Sequence, residues 1–256
     1  MVATMTQTTE QILDARPVAA RTVAATSVYG EGDLAVTALD AVDIELRAGE
    51  LTAIMGPSGS GKSTLMHAMA GLDQLTSGSA FVGETDLSTL KERELTALRR
   101  DHIGFVFQAF NLVPMLTAEE NIRLPLTLAR SAGDGAWIDH VIDAVGLTER
   151  RKHRPSEMSG GQQQRVAVAR AMASRPDVIF ADEPTGNLDR RSATDVLGLL
   201  QSAVHDEGQT IAMVTHDPNA ATFADRVVVL ADGQIVAETT APTVDTVLDM
   251  IRRLEA

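Results

Sequence analysis

The sequence predicts an α/β domain with a mainly parallel sheet, an antiparallel β subdomain and an inserted α-helical subdomain. Three observations carry that prediction. Residues 51–55, 178–181, 210–215 and 226–230 are short apolar runs without alternation, as strands buried on both faces are. Helical periodicity falls between them, which is the pattern of parallel strands joined by crossover helices. The stretch from about Gln108 to Met158 has few β-branched runs and several helical segments of its own.

Taken in order, residues 1–21 read as a tail with at most one short helix, and residues 22–240 as a single domain. "ALDAVDIELRAGE" places Val42, Ile44 and Leu46 in alternation, which suits a half-buried antiparallel strand closed by a turn. "LTAIM" follows as a fully buried strand. The helical subdomain is expected over residues 108–164, where Thr117 and Glu120 form a capping box. "RRKHR" (residues 150–154 in "ERRKHR") reads as a solvated surface turn. Asp232 and Gly233 sit between two strand-like runs and signal a hairpin. Residues 241–256 hold one amphipathic helix.

Composition removes several function classes. The net charge of -13 over 256 residues argues against a nucleic-acid surface, which needs a basic stripe. There is no cysteine, so no disulfide or thiol chemistry. No apolar run approaches the ~18 residues of a transmembrane helix, and the N-terminus has no apolar signal region. The expectation is a soluble cytoplasmic protein that docks on a membrane only through a partner.

Three stretches carry chemistry. Residues 56–63 of "GPSGSGKST" fit G-x-x-x-x-G-K-[ST], with a strand before and a helix after. This predicts a P-loop NTPase core. Gly56, Pro57, Ser58, Gly59, Ser60 and Gly61 would curl backbone N–H groups around phosphate oxygens. Lys62 would reach the β- and γ-phosphates of ATP, and Ser63, followed by Thr64, would ligate Mg²⁺. "VIFADE" ends a buried strand in Asp182, suited to the Mg²⁺ shell, and Glu183, suited to polarising a water. "MSGGQQQRVAVARAM" opens a helix at Ser159, Gly160, Gly161 and Gln162, a second helix end able to bind an anion. A chain with one nucleotide loop has use for such an end only if it serves another subunit.

With these motifs in order, the sequence resembles the ATP-binding cassette (ABC) family of ATPases from about Val23 to Val236. Within that resemblance Tyr29 matches the aromatic that stacks on adenine, and Gln108 the glutamine linking the helical lobe to the γ-phosphate and Mg²⁺. Ser159–Gln162 match the signature motif, with Met158 in place of its usual leucine. Asn187–Asp189 match the loop that crosses the dimer interface, and His216 matches the switch histidine at the γ-phosphate. The resemblance implies head-to-tail homodimers that sandwich ATP between one P-loop and the other subunit's signature helix. Glu183, His216, Lys62 and Gln108 then carry hydrolysis. It looks closest to the branch of lipoprotein-releasing, macrolide-efflux and antimicrobial-peptide exporters. That implies a membrane permease as partner, engaged through Phe110, Leu112, Val113, Met115 and Leu116 after Gln108. The alternative is a regulatory ATPase that moves a permease-like partner without transport.

Overall fold

In the computed structural model, residues 16–254 are described. β1 (Val18–Tyr29) and β2 (Val36–Arg47) form a long hairpin, followed by β3 (Leu51–Met55) and α1 (Lys62–Met69). Next come β4 (Ser77–Val82), the short β5 (Thr85–Asp86), α2 (Glu92–His102) and β6 (Ile103–Phe107). A helical lobe holds α3 (Ala118–Leu128), α4 (Gly135–Ala144) and the start of α5 (Gly160–Met172). The chain returns through β7 (Val178–Asp182), α6 (Arg190–His205), β8 (Ile211–Val214) and α7 (Pro218–Ala221). It closes on β9 (Arg226–Ala231), β10 (Gln234–Thr240) and α8 (Val244–Arg252).

The main sheet has six strands in the order β10-β9-β3-β8-β7-β6, parallel throughout except for the β9–β10 hairpin. The second sheet, β2-β1-β4-β5, is antiparallel. Every residue of β3 and β8 is buried, which is why neither run alternates in sequence. Strand parity divides the core in two. Ile54, Phe180 and Val228 face Leu65, Met66 and Met69 of α1 and the inner face of the antiparallel sheet. Met55, Ile179 and Val227 face the opposite side, with Val168 and Met172 of α5 and Leu200 of α6. The hairpin turn has positive φ at both Asp232 (48°) and Gly233 (76°), the geometry of a type I′ turn.

Two expected boundaries move. β1 reaches back to Val18, and Ala19 and Ala20 are buried. The start is hidden in sequence because "VAAR" offers small alanines where a strand usually shows large β-branched residues. The rest of the expected tail, residues 1–15, lies outside the described residues, as do residues 255–256 of the expected C-terminal helix. The helical lobe has no break at 164, because α5 runs unbroken to Met172. Its second half packs on the sheet so closely that a Cβ at Gly104 of β6 would lie 2.6 Å from the Ala171 carbonyl oxygen. α5 therefore belongs to lobe and core at once.

Candidate functional site

The neighbouring strands β3, β8, β7 and β6 end along one edge of the sheet, where open α/β sheets bind ligands. β3 delivers residues 56–61, β8 delivers His216, β7 delivers Asp182 and Glu183, and β6 delivers Gln108.

The loop after β3 tolerates no side chain at its two ends. A Cβ at Gly56 would overlap the Leu230 carbonyl oxygen, and one at Gly61 the Ala38 carbonyl oxygen. Gly61, at φ 101°, is the N-cap of α1, and no side chain caps that helix. By contrast Asp134, Ser159, Asp189 and Thr243 cap α4, α5, α6 and α8 with their side chains. The first-turn N–H groups of α1 are thus left for an anion. Pro57, Ser58, Gly59 and Ser63 are exposed, Thr64 is half-buried, and Ser60 is buried. Lys62 Nζ donates to the carbonyls of Gly56 (3.0 Å) and Pro57 (2.7 Å). Burial pulls its pKa below the usual lysine value, against the opposing pull of Glu183 and Asp182.

Asp182 is pushed above the ordinary carboxylate range, first by burial and then by the neighbouring Glu183 charge, while His67 and Lys62 oppose the shift. A half-buried carboxylate beside another carboxylate suits a divalent cation held jointly with Ser63. Glu183 adopts φ 46°, a left-handed conformation that costs a non-glycine residue energy and collects at functional sites. Its backbone N–H donates to Val214 O at 3.0 Å. Its side chain meets His216, with Nδ1 2.8 Å from Oε1. A carboxylate and an imidazole at that distance can share the handling of one proton.

Gln108 engages Asn187 in a reciprocal amide pair: its Nε2 donates to Asn187 Oδ1 (3.2 Å), and Asn187 Nδ2 donates to Gln108 O (3.0 Å). In this state Gln108 is tied to the 187–189 loop. Asp189 caps α6, accepting from Arg191 N and Ser192 N, both at 3.0 Å. Ser192 Oγ also donates to it, and these bonds hold its carboxyl below the usual range.

The second helix end is capped by its own side chains. Ser159 Oγ accepts from Gln162 N (3.3 Å), and Gln162 Oε1 accepts from Ser159 N (2.9 Å). Ser159, Gly161 and Gln162 line a cleft of about 420 Å³ with Arg165, Ser192 and Asp195, and none of residues 56–64 lines it. Gly160 is half-buried beside Phe110 and Leu188. That cleft is bounded chiefly by residues of α5 and α6 rather than by the loop after β3. Tyr29 ends β1 at 48% exposure, its hydroxyl 3.5 Å from Asp73 Oδ2.

Sequence reasoning missed Gln164 and Asp73. Gln164 is fully buried and bonded to the end of β6 and to the turn after β7. A signal was present: Gly161, Ala167 and Val168, its helical neighbours, are all buried-type residues. Asp73 carried none, since its contact to Tyr29 joins distant parts of the chain, beside a local one to His67.

The description "ABC transporter" matches residues 39–186, more than half of the chain. The macrolide export ATP-binding/permease protein MacB of Marinobacter nauticus is 47% identical over 84% of this chain, which covers 34% of that protein. This chain therefore spans about a third of the length of such relatives. The uncharacterized ABC transporter ATP-binding protein MJ0796 of Methanocaldococcus jannaschii is 42% identical over 83% of this chain and 93% of its own length. A solved dimeric structure of that cassette, in a post-hydrolysis state bound to ADP and Pi, aligns with TM-score 0.77 and 40% identity. The alignment covers 88% of this chain and 99% of that one. The phosphate-ready loop, the strained carboxylate beside it and these similarities agree: the chain belongs to the ABC transporter family.

Proposed function

We propose that this cassette binds MgATP on residues 56–64, hydrolyses it with Glu183 and His216, and works as a head-to-tail pair that drives an exporter permease. The 2.8 Å contact between His216 and Glu183 carries the catalytic part of this reading. Glu183 orients the attacking water and accepts its proton. His216 holds Glu183 and the γ-phosphate in register. Lys62 leaves the Gly56 and Pro57 carbonyls for the phosphates and, with the N-terminus of α1, offsets the charge that develops on the transferred group. Ser63 and Asp182 would hold Mg²⁺, with Gln108 joining them once its amide turns from Asn187; the ion supplies charge neutralisation at the phosphates. Tyr29 is the platform for the adenine ring.

Ser159–Gln162 complete the site of the second copy, with Asp189 at the seam. That the cleft at Ser159, Gly161 and Gln162 is lined by none of residues 56–64 supports that arrangement. For the permease, the best-suited surface is an apolar groove of about 490 Å³ lined by Leu72, Phe105, Phe107, Leu124, Pro125 and Leu128. Stacked rings of Phe105 and Phe107, 5.5 Å apart, pave it. Asn111 links it to the segment after Gln108. A helix laid in such a groove is a common docking mode. The name of the MacB relatives, which join an ATP-binding part to a permease, supports the pairing.

The Glu183→Gln variant tests the reading. Removing a general base lowers hydrolysis by about 100-fold or more, while ATP binding should persist because the phosphate ligands are untouched. ATP-dependent dimers should then accumulate in sedimentation. Hydrolysis at the wild-type rate would remove Glu183 from the mechanism.

A further inference from the structure

The side chain of Gln164 lies in the middle of α5, fully buried. Its Nε2 donates to two carbonyls from two different strands' ends. One is Phe107 O at 3.2 Å, the last residue of β6 and the one before Gln108. The other is Pro184 O at 2.5 Å, directly after Glu183. An amide nitrogen has two hydrogens, so both are used. Its Oε1 is a buried acceptor with no partner among the described residues. Orphaned buried polar atoms are rare because they cost stability. Turning the amide over would set that oxygen against carbonyl oxygens, so the two donor bonds fix its orientation.

The same helix grips the Gln108 segment from its other side. Arg170 donates to Phe110 O (2.9 Å) and Asn111 O (2.6 Å), at two successive residues with positive φ (58° and 50°). The 107–111 segment is thus pinned at both ends by α5, whose N-terminus is Ser159–Gln162. At the Gln164 end the pin also includes the turn that carries Glu183.

We infer that Gln164 is a positioning residue for hydrolysis: its amide locks the Glu183 turn and the Gln108 strand end to the signature helix, so the carboxylate is aligned only when that helix is in place. The inference rests on the catalytic reading of Glu183 above. It differs from a purely structural role in one respect. A structural amide lowers stability and binding generally, whereas a positioning amide acts through Glu183 and leaves the phosphate loop alone. Small misplacements of a catalytic group are costly in rate.

The test uses the full chain with Gln164→Met, which keeps the length and removes both donors, and Gln164→Glu, which keeps the shape with one proton at most. Melting temperature, ATP affinity by calorimetry and single-turnover hydrolysis are read for each, alone and with Glu183→Gln. The expected result is ATP affinity within about twofold of wild type and a single-turnover rate lowered about tenfold or more. Adding Gln164→Met to Glu183→Gln should lower the rate no further, since residues that act as a unit are not additive. An unchanged rate overturns the inference. So does a fall in affinity that parallels the fall in rate, a multiplicative loss in the double variant, or failure of both single variants to fold. Wild-type hydrolysis by Glu183→Gln alone would instead sink the catalytic reading, and the two failures are separate.

Discussion

At the scale of the residue, Asp182 holds a charge that the unliganded fold disfavours. Its pKa is raised by burial and by Glu183. The folded state therefore holds the proton more tightly than the unfolded chain does. Between the ordinary carboxylate pKa and the raised folded value, the stability contributed by this group falls as pH rises, and the loss is complete above the folded value. At neutral pH, Asp182→Asn should accordingly raise the melting temperature of the nucleotide-free protein, by about 2 °C if the relief is under ~1 kcal/mol. The same change should abolish Mg²⁺-dependent hydrolysis. Calorimetric melting and a phosphate-release assay check both arms; a lowered melting temperature would mean that Asp182 is stabilised rather than strained. Much at this scale was legible in sequence. Gly56 and Gly61 had to be glycine, Lys62 had to follow, and two acids had to end a buried strand. The left-handed backbone of Glu183 and the Gln108–Asn187 pair were not. Both depend on which strand ends lie side by side, and local spacing does not record that.

At the scale of the element, the segment after Gln108 is less free than its apolar spelling suggests. Asn121, fully buried on α3, accepts from Val113 N (2.8 Å) and donates to the carbonyls of Val113, Leu116 and Thr117. This knits residues 113–117 to the helix. Leu112 packs against the core of the lobe, while Met115 is 73% exposed and Leu128, on the rim of the groove, is 69% exposed. The sequence spells all of these as similar apolar residues, and only packing separates the ones that support from the ones that remain available. Leu112→Glu should therefore destabilise the chain by about 2 kcal/mol or more, because it brings a charge against apolar neighbours. Leu128→Glu should stay within about 0.5 kcal/mol of wild type, as exposed sites do, and should leave basal hydrolysis intact. Denaturant melts of the two variants decide it. Equal losses would place Leu128 in the core and remove it from the groove. The strands themselves were legible because burial on both faces removes alternation. The start of β1 and the length of α5 were not, since alanine and valine suit either environment.

At the scale of the whole molecule, the parallel sheet places the loop after β3, the carboxylates after β7 and the histidine after β8 on one edge. α5 carries Ser159–Gln162 elsewhere, at the end of a lobe that also holds the Gln108 segment. On the proposed reading the site is half a site, and a second copy turned head to tail would supply the other half. That is the central claim, and Ser159→Arg tests it most directly. Ser159 is exposed, so the change costs the helix its cap, about 1 kcal/mol, without disturbing the core. ATP affinity by calorimetry should match wild type, because residues 56–64 are unchanged. The steady-state hydrolysis rate should fall by about 100-fold or more, the scale of losing a catalytic donor, since the arginine fills the space meant for the opposite copy's γ-phosphate. A Ser159→Arg protein that binds ATP and hydrolyses it at the wild-type rate would contradict the account.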